Sequence, residues 1–336
     1  MSDFEERLVE ALQPARQFFL AQTIDYGLRS GVLAALAESP GRPLAEVAAS
    51  FGMDSGRLGG LLDYWSAEGY VTDPAVAPAL TGKGKDVLEF RAWYELLLGG
   101  YGHTLEELPD VLRDAGTYAE RDGAMVGKGS CGISQYDIIP LLRNLLAHAT
   151  EPDLTLVDLG CGDGAVLLDL VGDEGRGIGI DPESSSVESA RALAVARGRA
   201  DVWFDVGTAQ DYRHVDDGTV PCFITAFSLQ EVLEQQGRDA VIGIVRRLLA
   251  HRGAYLAVVE VDYDPAVVAS HGLGMAYYNP YYLLHEITEQ RLETTGFWKA
   301  LFAEAGARVV AEVTTDPDVD STGLEVGFLL RSADSQ

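Results

Sequence analysis

Residues 157–164 read Val-Asp-Leu-Gly-Cys-Gly-Asp-Gly, with three glycines at alternating positions directly behind an apolar run. Few chain paths accept that pattern. A glycine-rich turn between a buried strand and a helix lets backbone N–H groups approach a nucleotide-like ligand closely. It implies a strand–turn–helix unit and places a cleft at the strand's C-terminal end. The spacing alone does not choose the ligand, because Gly160 to Ala165 also fits the GxGxxA form of the dinucleotide fingerprint. No Gly-Lys-Ser/Thr follows, which excludes a P-loop nucleotidase.

The charges between the glycines do choose. Asp163 lies in the turn and Asp158 at the strand end. Two carboxylates beside a pyrophosphate would repel it. S-adenosylmethionine has no phosphate; it carries a sulfonium and an ammonium, which favour nearby carboxylates. Asp181 ends the next apolar run, 21 residues after Gly160, where a carboxylate accepts from ribose hydroxyls. Asp205, Gly207 and Thr208 close the run after that, placed for the adenine edge. An aspartate after a strand is also a common helix cap, so the signal lies in three strand ends agreeing.

From 154 onward strands and helices alternate. Short apolar runs at 154–160, 176–181, 201–207, 221–227 and 254–262, with helical stretches between them, predict a doubly wound parallel sheet. Two further strands, 307–315 and 324–331, are joined only by the turn-rich DPDVDSTG and are expected to be antiparallel neighbours. Residues 1–115 differ: helix-period patterns dominate, over 16–37 above all. Helices at 44–51 and 55–68 and a short extended arm follow, a winged-helix-like arrangement. Residues 116–150 carry five glycines and are expected to be a connecting loop lining the cleft, followed by a helix at 138–149. The domains are thus 1–115, 116–150 and 151–332.

A formal net charge of −27 repels phosphate backbones and anionic membranes, so neither nucleic acid nor membrane is an expected partner. Three cysteines without CxxC spacing, no signal-peptide pattern and no apolar stretch of spanning length point to a cytoplasmic protein. A DNA-binding regulator built on the winged helix remains an alternative. Its second helix, with one Arg and two acids, is poorly suited to phosphates. A homodimer through the N-terminal domain is the expectation.

Residues 150–332 resemble a class I S-adenosylmethionine-dependent methyltransferase, a fold whose seven-stranded sheet ends in an antiparallel pair. FSLQEVLEQQG (227–237), NPYYLLHEITEQRL (279–292) and DPDVDSTGLEVGFLLR (316–331) narrow the likeness to the α-keto acid C-methyltransferases. The resemblance implies methylation of a keto acid's β-carbon, with 2-ketoarginine favoured, in modified amino acid or antibiotic biosynthesis. It also implies a ferric ion held partly by two histidines. His285 matches the later ligand; the earlier position holds Gln230, followed by Glu231. Gln230, Glu231 and His285 are therefore the candidate catalytic and metal-binding residues, for a non-haem iron or another divalent or trivalent ion.

Other readings of these residues stay open. His285 also fits a helix histidine satisfied by a carboxylate. Ser228-x-x-Glu231 also fits a capping box, although Ser228 at a strand end faces the cofactor in such a fold. His271 is the rival catalytic residue, a general base for an O-methyltransferase. Tyr136 is a candidate lid on the cofactor, and Tyr277, Tyr278, Tyr281 and Tyr282 a pocket wall, since Asn279-Pro280 is expected to interrupt a helix. Arg121, Lys128 or Arg291 would suit a substrate carboxylate, and Glu231 or Glu286 a guanidinium.

Overall fold

The computed structural model describes residues 2–151, 153–172, 175–214 and 218–334. The chain falls into two compact units, the first ending at Gly99 and the second starting at Gly100. The expected boundary at 115 therefore lies inside the second unit.

In the first unit the 16–37 pattern forms two helices, Gln13–Ser30 and Val32–Glu38, broken at Gly31, whose φ of 81° leaves the helical region. Helices Leu44–Ser50 and Ser55–Ala67 follow, then a two-stranded antiparallel ribbon, Val71–Thr72 with Ala79–Leu80. Trp65, fully buried, anchors the core with Leu36, Leu62 and Ile24.

The second unit is built on seven strands: β1 (Leu154–Leu159), β2 (Arg176–Asp181), β3 (Val202–Val206), β4 (Val220–Ala226), β5 (Tyr255–Val261), β6 (Ala307–Thr314) and β7 (Glu325–Ser332). Their spatial order is β3-β2-β1-β4-β5-β7-β6. The first five are parallel, and β7 runs antiparallel to both β5 and β6. Every residue of β5 is buried, as continuous apolar runs covered on both faces require, whereas edge strand β6 alternates. Helices Arg238–Leu249 and Thr295–Glu304 pack on one face around Phe302 and Phe328. Helices Ile138–Leu146, Ala165–Val171 and Ser184–Ala196 pack on the other around Phe204 and Tyr255. The strand order reverses at β1 and β4, and ligands of such sheets bind at that switch point, beyond the strands' carboxyl ends.

Two local expectations are overturned. The glycine-rich connector is not a loop: Gly123–Ser134 is a helix, capped by Asp122, whose carboxylate accepts from Met125 N–H at 3.0 Å. Burial of Ile133 and Gly129 against the unit offsets the low helix propensity of its glycines. Asn279-Pro280 does not interrupt a helix but opens one, Asn279–Ile287, because proline in a first turn lacks only an N–H that would be unbonded anyway. A π-helical turn, Gly274–Tyr278, leads into it.

Candidate active site

The turn after β1 is shaped by its glycines. Gly160 has φ 111°, and a Cβ there would meet the Ser228 hydroxyl at 2.6 Å. Gly164 has φ 77°, and a Cβ there would meet the Phe204 ring at 2.6 Å and Ala190 at 2.9 Å. The backbone thus approaches β4 on one side and the β3 core on the other. Asp181 joins the first two turns: one carboxylate oxygen accepts from Gly162 N–H and the other from Glu183 N–H, both at 2.9 Å. Gly207 N–H donates to the Asp181 carbonyl at 3.0 Å, bringing the turn after β3 alongside.

Asp158 is buried beneath this turn, and burial together with the Asp181 charge pushes its carboxyl up to about 7. A cationic ligand would reverse that shift by stabilising the carboxylate. Asp163 accepts from Ala165 N–H at 3.1 Å at the start of the next helix. Gly162 lies under Cys131 of the Gly123–Ser134 helix: a Cβ on it would be 3.3 Å from the sulfur. Tyr136 follows that helix, half-buried. Two expected residues have protein partners. Asp205 is exposed and paired with Arg191 at 2.9 Å, and the Thr208 hydroxyl donates to Asp211 at 2.8 Å.

The expected capping box does not form after β4. The Ser228 hydroxyl donates instead to the Ala226 carbonyl at 3.2 Å, and no side chain caps from that position. Glu260 of β5 takes over: its Oε1 accepts from Leu229 N–H at 3.1 Å, with a further bond from Gln230 N–H. Burial nonetheless pushes its carboxyl up to about 8. Glu260 was missed from the sequence, where it reads as one polar residue in an apolar strand; its place as the last acid before the strand's carboxyl end was the available signal.

Helix Asn279–Ile287 and the turn before it set Tyr277, Tyr281 and His285 at intervals of four, on one face. The Tyr281 and His285 rings lie 3.8 Å apart, centroid to centroid. His285 is buried, which lowers its pKa to about 3 and keeps the imidazole neutral. Its Nδ1 lies 2.8 Å from the Tyr281 carbonyl and its Nε2 3.2 Å from Gln230 Nε2. Gln230 and His285, 55 residues apart, are therefore brought together as expected. Glu231 turns away, with its Oε1 bonded by Arg121 at 2.5 Å and by the Gln290 amide at 3.1 Å. Burial opposes the Arg121 charge, but Glu231 and Tyr101 outweigh it and hold the guanidinium charged. Arg291 is spent on Glu293 at 2.9 Å.

These donors do not fit an iron. One imidazole nitrogen is present, already bonded by an amide, and the neighbouring carboxylate is held by an arginine. Among the described residues no three His, Cys, Asp or Glu side chains gather as a metal site. His271 lies apart, its Nε2 at 3.0 Å from the Ser321 hydroxyl and its Nδ1 accepting from Leu273 N–H at 3.2 Å.

A second acidic group lies next to the tyrosines. Asp137 and Glu325 are both buried and share a hydrogen bond. Burial raises both carboxyls, that of Glu325 to about 7. Glu325 pairs with Val261, the last residue of β5, and so belongs to the carboxyl end of the sheet. Thr315 donates to its Oε2 at 2.7 Å, and the Tyr278 hydroxyl donates to Asp320. Neither Asp137 nor Glu325 stood out in the sequence, because nothing local marks two distant acids as neighbours.

Known proteins agree with this architecture. A family described as a methyltransferase domain matches residues 156–253. The chain is 49% identical over 332 residues to 2-ketoarginine methyltransferase of Streptomyces arginensis, covering 97% of this chain and 96% of that one. It is 26% identical over 260 residues to indolepyruvate C-methyltransferase of Streptomyces griseus, covering 74% of each. Among solved structures, mitomycin 7-O-methyltransferase has the same fold, with a TM-score of 0.71, 19% identity and 98% of each chain covered. The chain belongs to the class I S-adenosylmethionine-dependent methyltransferases, in the family that includes 2-ketoarginine methyltransferase.

Proposed function

We propose that this enzyme methylates the β-carbon of an α-keto acid and that 2-ketoarginine is its substrate. The observation that carries the reading is the pairing of Gln230 with His285 beside a charged, largely enclosed Arg121. Arginine carries five N–H groups, so Arg121 can hold a substrate carboxylate beside Glu231, and the rival base, His271, lies apart against Ser321. The 49% identity to a 2-ketoarginine methyltransferase supports the substrate. The buried Asp137–Glu325 pair supplies carboxyls suited to a guanidinium.

The residues after β1, β2 and β3, with Tyr136 and Ser228, hold S-adenosylmethionine in this reading, and Asp158 and Asp163 face its cationic groups. The β-carbon loses a proton to solvent, its C–H pair becomes the C=C bond of an enol, and the C2 oxygen takes up a proton. That carbon then attacks the sulfonium methyl in line, and the S–CH3 pair stays on sulfur, giving S-adenosylhomocysteine. The enzyme's part is to align the two reactants and favour the nucleophilic form of the acid. Exposed Phe18 and Phe19 on helix Gln13–Ser30 support a homodimer through the first unit.

The test is mass spectrometry of reactions with S-adenosylmethionine and a panel of 2-ketoarginine, indolepyruvate, phenylpyruvate, 2-ketoisocaproate and simple phenols. One added methyl on 2-ketoarginine, with the other acids slower and the phenols unchanged, is the expected result. Methylated phenols with untouched keto acids would overturn the reading.

A further inference from the structure

The hydrogen-bond chain through His285 has a single direction. A carbonyl oxygen only accepts, so the bond at 2.8 Å to the Tyr281 carbonyl places the proton of the neutral imidazole on Nδ1. Nε2 is then bare and accepts from the Gln230 amide N–H at 3.2 Å. That fixes the orientation of the carboxamide, with its N–H toward His285. Gln230 Oε1 faces the other way. It is buried and has no hydrogen-bond partner among the described residues. A buried acceptor without a donor costs about 1–3 kcal/mol, which a ligand O–H or N–H reaching Oε1 beside the Tyr281 side chain would recover.

The keto form of the substrate offers no donor at its reacting end: its carbonyl and carboxylate only accept. The enol form offers one, the hydroxyl at C2. We propose that Gln230, its carboxamide aimed by His285, accepts the enol hydroxyl of the keto acid and thereby selects the nucleophilic tautomer in place of a metal ion. This inference rests on the keto-acid reading above. Enolisation breaks the β C–H bond, turns its pair into the C=C bond, and leaves a proton on the carbonyl oxygen, with no oxidant required. On transfer the C=C pair forms the bond to the methyl and the S–CH3 pair stays on sulfur. The O–H pair restores the carbonyl, and the proton leaves to solvent. Gln230 binds the reacting oxygen; His285 is a positioning residue that acts through it.

The test follows deuterium uptake at the β-carbon by NMR in D2O, with S-adenosylhomocysteine replacing the methyl donor so that enolisation is seen without transfer. The wild-type enzyme is expected to accelerate uptake for both 2-ketoarginine and 2-ketoisocaproate, and treatment with a chelator should not change it. Gln230→Met is expected to slow uptake roughly 10- to 100-fold for both acids, with S-adenosylhomocysteine affinity by calorimetry unchanged. His285→Phe, which leaves the amide present but unaimed, should lose less. If Gln230→Met fails to bind S-adenosylhomocysteine, the His285→Phe rate decides, and full wild-type uptake in it overturns the proposal. So do unchanged uptake in Gln230→Met, loss confined to 2-ketoarginine, or loss of wild-type uptake with a chelator. Wild-type enzyme that neither exchanges nor methylates any keto acid would instead overturn the keto-acid reading itself.

Discussion

The two halves of the cleft are made differently. On the proposed cofactor side, the turns after β1, β2 and β3 are held together through backbone: Gly160, Gly162 and Gly164 take positive φ, their N–H groups are bonded within the turns, and one carboxylate, Asp181, ties two turns together. On the acceptor side, after β4 and β5, side chains from distant segments meet in the interior: Gln230 with His285, Arg121 with Glu231, Asp137 with Glu325. The first half is a general cradle that many methyltransferases can share. The second is where we propose the acceptor is distinguished. Its buried polar groups bind strongly only when each is satisfied, so it is the half where one substitution changes specificity.

The largest effect should come from the cradle. Gly164→Val forces a branched side chain at φ 77° against the Phe204 ring and Ala190. We expect about 3 kcal/mol or more of lost stability, combining backbone strain and overpacking, read from denaturant unfolding. A small effect would mean that the turn is softer than its packing suggests. Next is Arg121→Met, which leaves the half-buried Glu231 without its arginine and removes the carboxylate fork. About 2–5 kcal/mol is expected in kcat/KM for 2-ketoarginine, expressed mainly in KM, while S-adenosylmethionine affinity holds. Equal loss of both would merge the two halves functionally.

The pH response sharpens the comparison further. Asp158, Glu260 and Glu325 are raised by burial, to about 7, 8 and 7 respectively. A carboxyl raised in the folded state binds its proton more tightly there than in the unfolded chain. The stability it contributes is therefore complete below about pH 4 and is lost as pH rises through 7 to 8. The ligand-free enzyme should thus lose thermal stability between pH 5 and 8 once other titrations are matched by Asp158→Asn and Glu260→Gln variants, which flatten the slope. S-adenosylmethionine should offset the Asp158 share alone. The smallest effect belongs to His271→Ala: methylation within about twofold of wild type, since surface changes away from buried features are nearly neutral. A large loss there would restore the O-methyltransferase alternative.

Legibility follows the same division. The seven strands were readable to within a residue or two, because apolar runs and glycine turns are local signals. The turn after β1 was readable too, since Gly160, Asp158 and Asp181 lie within 24 residues of one another. The failures were also physical. Glycines at 123–132 suggested a loop, yet packing made a helix. Pro280 suggested a break, yet it fell in a first turn. In the acceptor half, Gln230 and His285 were legible only through a family likeness. Glu260, Asp137 and Glu325 were not, because their meaning depends on burial and on partners far along the chain.

The central claim is that the methyl group ends on carbon. The direct measurement is NMR of the product formed from 2-ketoarginine and S-adenosylmethionine carrying a 13C methyl. A labelled methyl coupled to a single proton on the β-carbon, with the carbonyl retained, is the predicted result. A labelled methyl attached to oxygen or nitrogen, with the β-methylene intact, would contradict it.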